Sequence, residues 1–557
     1  MKPFVVLIAV LLCHFPLSAQ SRSHARSVVM TRTGIVSTSQ TLASVAGAQI
    51  LAKGGSAVDA AIAANAVLSV TEPMMNGIGG DLFAMYRDVK TGKLSGINAS
   101  GWAPAKLTPQ YLRDKGRSMV PVSGIDSVTI PGAVDGWGKM HKRFGRLPWK
   151  DLFQSAIYYA EQGFPVTETI QLQWAEPSYQ STLTDDAARE VFLPGGKAPE
   201  QGQIFRNPGL GRAFRLIAEQ GSRTVYEGAV AKRILATSNK HEGTMKAADL
   251  SEFQAEWVTP ISTTYRDWTA YEMPPNGQGI AALQMLNVLE QLPVAKDPKS
   301  AEALHTRIEA MKIAYADLLY VTDPRVAKVP VGSLLEKDYA AARAKLFNPN
   351  RAECRVAEGA PERTSNTVYL AVVDKDGNMA SWIQSISGVW GSGVMVDGLG
   401  FVLQNRGANF DFDDDRANVL AGRKRPRHTI VPAFLEKGDQ HIAYGIMGGL
   451  NQPMAHVQFV SNFVDYGMNL QAAMDAPRFT KQYIGGCDLL IEGRFSRDVL
   501  FELRRKGHIL TEVGDYGMLM GRGEAILHNS STGVNYGVSS GRGDGAAIPE
   551  APRFDKN

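Results

Sequence analysis

"SNTVYLAVVDKDGNMASWIQSIS", residues 365 to 387, is the stretch on which the reading of the fold turns. Val368 to Val373 is an unbroken apolar run of strand length, rich in β-branched and aromatic residues. Asp376-Gly377 marks a turn, because glycine takes a positive φ without steric penalty. Met379 to Ile386 follows as a second strand, so the segment predicts a hairpin. One hydroxyl, Thr367, stands at the head of the first strand, directly after Ser365-Asn366. A strand edge is an ordinary place for threonine, and the rest of the chain must say whether this one does more.

Downstream of the hairpin strands dominate, with helices expected near 469–475 and 496–506. Upstream, residues 104–360 are mostly helical patterns such as "WKDLFQSAIYYAEQGF" and "SAEALHTRIEAMKIAYADLLYV", broken by Gly and Pro. Earlier still, "GIVSTS" reads as a strand. It leads into a helix ending at Gly54-Gly55 and a second that begins at a capping Ser56 and stops before Pro73. That second helix is apolar nearly all round, which predicts burial. Helix-rich material followed by a strand-rich block reads as α+β or layered α/β. No internal repeat is visible.

The 557 residues are 44% hydrophobic and 20% charged, a globular composition with ample material for a large core. A net charge of +4 makes no case for nucleic acid or a membrane surface. "MKPFVVLIAVLLCHFPLSAQ" has a basic Lys2, an apolar run Phe4–Leu12 and small residues Ser18-Ala19, the layout of a secretory signal peptide over 1–19. A secreted or periplasmic protein is expected. Cys13 lies inside the apolar run, without the small residues before it that a lipoprotein signal has. No other stretch is long and apolar enough to span a bilayer.

Two cysteines remain, Cys354 and Cys487, free to pair or not. With no CxxC and no HExxH, no metal is expected. "GIGGD" and "MGGL" lack the Lys-Ser/Thr of a phosphate loop and match no dinucleotide fingerprint, so no cofactor is expected. Such glycines serve close backbone packing, or, at Gly448-Gly449, present N–H groups as an oxyanion hole. Asp411, Asp413 and Asp415 occupy the first, third and fifth positions of a possible calcium loop. Arg416 and Gly422 stand where Gly and Glu are needed, so this reads as a solvated acidic loop. "GRGD" at 541–544 is a short match that arises often by chance.

Eight motifs fall in one order: "GGSAVDAAIAANAVLSVTEPMMNGIGGDLFAMYRD", "PGAVDGW", "PPNGQGIAALQMLNVLE", "TVYLAVVDKDGNMAS", "GSGV", "RPRHTIVPAF", "MGG" and "DAPRF". In that order they resemble the γ-glutamyltransferase (γ-glutamyltranspeptidase) family over nearly the whole mature chain. The resemblance implies an α+β fold, a four-layer αββα sandwich of the N-terminal-nucleophile hydrolase type. It implies a precursor that cuts itself between Asn366 and Thr367. The pieces would stay together as a helix-rich large subunit, 20–366, and a strand-rich small subunit, 367–557. Thr367 maps onto the nucleophile, Ser385 onto the second hydroxyl that steadies it, and Gly448 and Gly449 onto the oxyanion-hole pair. The chemistry is sound by itself. A free hydroxyl needs an adjacent base, and a threonine made N-terminal by cleavage carries one in its own α-amine, which titrates near pH ~8.

The resemblance departs at the acyl pocket. The family's Arg for the substrate α-carboxylate falls on Ser100, and its Asp for the α-ammonium on Asn409. A Gln falls on Arg406, an Asn on Ser387, and a Ser-Ser pair on His428-Thr429. Charge-assisted pairs are roughly twice as strong as neutral hydrogen bonds, so selectivity for a zwitterionic γ-glutamyl head should fall. "LQNRGANF" and "PRHT" look more like a branch acting on glutaryl and other side-chain amides. Arg406 is then either a new carboxylate anchor or an ion-pair partner of the acidic loop.

The resemblance therefore implies an amidohydrolase or acyltransferase working through an acyl-enzyme on Thr367. Alternatives are an acylase with little γ-glutamyl activity and a secreted binding protein without turnover. Expected partners are a small-molecule amide or peptide, water or an amino acid as acceptor, and the two subunits of one precursor. Neither nucleic acid nor a membrane anchor is expected.

Overall fold

The computed structural model describes residues 26–355, 367–481 and 485–552. The expected leader, Cys13, Ser365 and Asn366 lie outside the described residues. Two seven-stranded antiparallel sheets face each other. The first runs β19 (Ala546–Pro549), β2 (Ile35–Thr38), β10 (Val368–Val373), β11 (Met379–Ser385), β3 (Asp81–Arg87), β4 (Leu94–Ala99), β7 (Glu256–Val258). The second runs β1 (Val29–Thr31), β18 (Val534–Ser539), β17 (Gly523–Asn529), β13 (Gln440–Ile446), β12 (Ala433–Lys437), β9 (Trp268–Glu272), β8 (Ile261–Tyr265). Two smaller sheets join β5 (Phe164–Pro165) to β6 (Ile204–Phe205), and β14 (Phe479–Thr480) to β15 (Asp488–Glu492) and β16 (Ile509–Val513).

The hairpin β10–β11 sits at the centre of the first sheet, and its unbroken apolar run has a physical reason. Val368, Leu370 and Val372 face the helical layer, while Tyr369, Ala371 and Val373 face the second sheet. A strand covered on both faces has no polar side to show. The turn closes where the Asp374 N–H donates to the Asn378 carbonyl, with Gly377 at φ 88°.

Helices cover both outer faces. α1 (Thr41–Ala52) and α2 (Ala57–Thr71) pack on the first sheet. Ser56 and Asp59 form a capping box at the start of α2, and every residue of that helix is buried. Helices Ile280–Glu290, Ala301–Tyr315 and Asn451–Val464 share a core with the second sheet. A third core, from Phe83 and Ile383 to Phe434 and Ile526, fills the space between the sheets. The layers are therefore helix, sheet, sheet, helix, the expected αββα order.

The helical reading of 104–360 misses one hairpin, β8–β9. "ISTTY" alternates exposed and buried positions on a rim strand, a period of two inside a block otherwise patterned for helices. The stretches either side of 366–367 interleave in both sheets. β10 is flanked by β2 and β11 by β3, and β12 by β9, so each sheet is built from both. Cys354 and Cys487, left open by the sequence, form a disulfide with Cα atoms 4.9 Å apart. Among the described residues no helix is long and apolar enough to cross a membrane.

Candidate active site

Four polar residues stand in line across one end of the first sheet. Val368 is paired with Gln384, so one step outward Thr367 falls opposite Ser385. Ser385 is itself paired with Asp81. Leu82 is paired with Ala99, so Asp81 falls opposite Ser100. All four are fully buried. Directly opposed residues of an antiparallel ladder point to the same face. That face is the space between the sheets, because Tyr369, Ile383 and Phe83, two positions inward, belong to the inter-sheet core.

"GIGGD" brings Asp81 to this row. A Cβ on Gly79 would lie 2.2 Å from the Val402 carbonyl oxygen, and one on Gly80 2.3 Å from that of Ser385. Only glycine permits these backbones to meet so closely. The glycines serve packing, and the residue after them does the polar work. Asp81 Oδ1 accepts from the Gly101 N–H at 2.9 Å and from Gln404 Nε2 at 2.8 Å. Its Oδ2 accepts from His428 Nε2 at 2.9 Å and lies 3.6 Å from Arg406 Nε.

Of the residues mapped onto the acyl pocket, His428 and Arg406 meet this carboxylate and Ser100 lies opposite it. His428 is fully buried, and its Nδ1 accepts from the Ile430 N–H at 3.3 Å. Burial, helped by the Arg406 charge, pushes its pKa down to about 4, so the imidazole is neutral at physiological pH. Arg406 is fully buried and donates from Nη1 to Thr429 Oγ1 at 2.7 Å. The ion pair with the acidic loop is not formed. That loop is largely exposed, and Arg406 turns inward to Asp81 instead. Ser100 Oγ accepts from Asn276 Nδ2 at 3.1 Å, and its carbonyl accepts from Arg425 Nε at 2.8 Å. Asn409 is spent on local structure. Its Nδ2 donates to the Arg427 carbonyl at 3.2 Å, and its own carbonyl accepts from Asn418. Ser387 holds φ 77°, and its N–H donates to Ser385 Oγ at 2.8 Å.

Gly448 and Gly449 follow β13 and lead into helix Asn451–Val464. They hold φ 124° and 62°, conformations that favour glycine. Among the described residues neither gives its N–H to a backbone partner. Gln452, in the first turn of that helix, reaches back to the nucleophile position, with Nε2 3.5 Å from Thr367 Oγ1. Its Oε1 is fixed by the Val431 N–H at 2.9 Å. Gln278 Nε2 ties the two sides together, donating to the carbonyls of Thr429 and Gly449, each at 2.8 Å.

Sequence reasoning missed Asp81 and Gln452. Each lies within three residues of a glycine pair it did single out, and the signal was a polar residue at the end of a Gly-rich turn. Among the described residues one group has metal-ligand spacing: His305, Glu309 and His508. Lys312 Nζ donates to Glu309 Oε1 at 2.7 Å, so an ammonium already neutralises the carboxylate a metal ion would need.

The four-layer sandwich defines a class, the amidohydrolases of the N-terminal-nucleophile fold. The superposition supports it. The cephalosporin acylase of Bacillus halodurans matches with a TM-score of 0.88 and 41% identity over 96% of this chain and 98% of that one. The γ-glutamyltranspeptidase family model matches residues 43–550, and the chain belongs to that family. It is 37% identical over 533 residues to the glutathione hydrolase-like YwrD proenzyme of Bacillus subtilis (strain 168), covering 94% of this chain and 99% of that protein. It is 33% identical over 540 residues to the acylase ACY 1 proenzyme of Pseudomonas sp. (strain SE83), covering 92% and 93%.

Proposed function

We propose that this amidohydrolase cuts its own chain between Asn366 and Thr367, and that the freed threonine then carries acyl groups from amide substrates to water or to an amino acid. The observation that carries the reading is the contact of Gln452 with Thr367 Oγ1 at 3.5 Å. It joins the hydroxyl to the helix whose entry is Gly448-Gly449, which supports reading a nucleophile and two N–H donors as one site. In the reaction Thr367 Oγ1 attacks the amide carbonyl while its α-amine takes the hydroxyl proton. The Gly448 and Gly449 N–H groups hold the oxyanion, and Ser385, opposite in the ladder, positions the hydroxyl. The amine leaves with that proton, and water or an amino acid then attacks the ester.

The acyl group is γ-glutamyl or a close relative, and the pocket favours the second. No cation replaces the family's arginine at Ser100 and no carboxylate its aspartate at Asn409, whereas Arg406 brings a guanidinium to the inter-sheet face. A glutaryl-type acyl chain, with no ammonium to pair, suits a site whose carboxylate, Asp81, is already engaged by Arg406 and His428. The names of the B. halodurans and Pseudomonas relatives, both acylases, point the same way. Export through a leader over 1–19 fits the Cys354–Cys487 disulfide, which persists in an oxidising compartment.

Two measurements test this. Intact mass and N-terminal sequencing of purified protein should find a piece starting at Thr367; an active enzyme with that bond whole would sink the mechanism. Comparing kcat/KM for γ-glutamyl and glutaryl anilides on one preparation should favour glutaryl, and Arg406→Ala should lower the glutaryl value selectively. A preference for γ-glutamyl by orders of magnitude would remove the pocket reading and leave the nucleophile standing.

A further inference from the structure

The Cys354–Cys487 disulfide joins residues on opposite sides of the Asn366–Thr367 bond. In the uncut chain it closes a loop across a sequence separation of 133. Cleavage at 366–367 opens that loop and turns the same bond into a link between two chains. We propose that the mature enzyme is a covalent heterodimer, its large and small subunits stapled by Cys354–Cys487. The inference rests on the cleavage proposed above and adds to it a bond that the cleavage does not require.

The surroundings of the disulfide hold its two halves in place from both sides. The Ala352 N–H donates to the Lys506 carbonyl at 2.7 Å, and Lys506 Nζ donates to the Pro349 carbonyl at 2.5 Å. His305 Nε2 donates to the Asn348 carbonyl at 2.8 Å, and its Nδ1 faces His508 Nε2 at 2.8 Å. Burial and the nearby lysines push the His508 pKa down to about 3, which keeps this a neutral imidazole pair. Glu309 Oε2 accepts from the Glu353 N–H at 3.0 Å, and Lys312 Nζ donates to the Glu353 carbonyl at 3.0 Å. Two of these bonds lay residues 348–354 directly on Lys506, and the others tie them to the helix Ala301–Tyr315, which meets His508 through His305. Cys487 is itself buried, beneath Lys312 Nζ at 3.6 Å.

Forming the bond removes two electrons and two protons from the Cys354 and Cys487 thiols. The acceptor is a protein or small-molecule disulfide of the oxidising compartment, which is reduced to the dithiol. In the native state the mixed sheets already hold the pieces together. The staple matters when the sheets open, because linked chains re-pair at an effective concentration set by the tether and not by dilution.

The test uses the purified full chain, alkylated to stop exchange and then denatured, with and without dithiothreitol. Without reductant one species should appear, with the summed mass of both pieces. With reductant it should resolve into two, the smaller beginning at Thr367. A Cys354→Ser protein should give two pieces in both lanes. Two pieces without reductant in the unmutated protein, each with an alkylated cysteine, would overturn the staple and leave the cleavage standing. One whole chain in the presence of reductant would overturn the cleavage, and the intersubunit bond with it.

Discussion

The two halves of the candidate site are built from different materials. The residues Thr367, Ser385, Gly448, Gly449 and Gln452 themselves carry no charge on their side chains and offer hydroxyls, main-chain N–H groups and one amide. On the side of Ser100, Arg406, His428 and Thr429 everything turns on a buried carboxylate, Asp81, and the cation and imidazole it holds. In the proposed reaction, bond breaking rests on backbone geometry, which tolerates little change, and recognition on charges gathered from remote segments, which can be exchanged pair by pair. A family can keep the first and rewrite the second, and the replacements at Ser100, Arg406 and Asn409 have that form.

The comparison can be broken at its strongest point. Thr367→Ala should remain whole and lose activity by roughly 10⁴-fold or more, as expected when a nucleophile is removed, with mass and anilide turnover as readouts. Asp81→Asn should act through the other half. Taking away one partner of a buried ion pair leaves Arg406 uncompensated, a loss of about 3–5 kcal/mol in urea unfolding. A change within about 0.5 kcal/mol would place Asp81 among ordinary surface-like positions and dissolve the contrast. Gly449→Ala should strain a backbone at φ 62° and disturb the N–H beside the oxyanion, lowering kcat by roughly 10²–10³ with little change in KM.

Acid sharpens the comparison further. His428 has a folded pKa of about 4 against an ordinary 6.5, so the unfolded chain binds its proton first. The stability held by the neutral imidazole is complete above pH ~6.5 and is lost as pH falls toward ~4, on the order of 3 kcal/mol. Urea midpoints across that window should fall for the parent and flatten for His428→Gln; parallel curves would show that His428 does not carry the loss. The smallest effect is expected at Gln452→Ala. Loss of a weak contact at the outer limit of hydrogen bonding should cost about tenfold in kcat while cleavage proceeds.

What the sequence shows and hides follows the same division. The hairpin at Thr367, the helix cap at Ser56 and the glycine pair at 448–449 were legible because each is local: an apolar run, a cap, a conformation. The Arg406 partner was not. Asp81 is hundreds of positions away, and only the β11–β3 ladder brings it to Ser385 and so to Arg406. The sequence offered the acidic loop close by, and proximity along the chain proved a poor guide for a buried charge. The β8–β9 hairpin was hidden for another reason: its alternation is short and sits in a helical block.

The interleaving of the sheets bears on when the chain can be cut. Thr367 comes to face Ser385 only after β10 has closed on β11, and β11 meets Asp81 only after β3 has arrived from far upstream. Such long-range pairings are slow to form. A chain that severs itself at this point does so only once they are made, so the new terminus is a receipt of completed folding: misassembled molecules would remain single, uncut and inert.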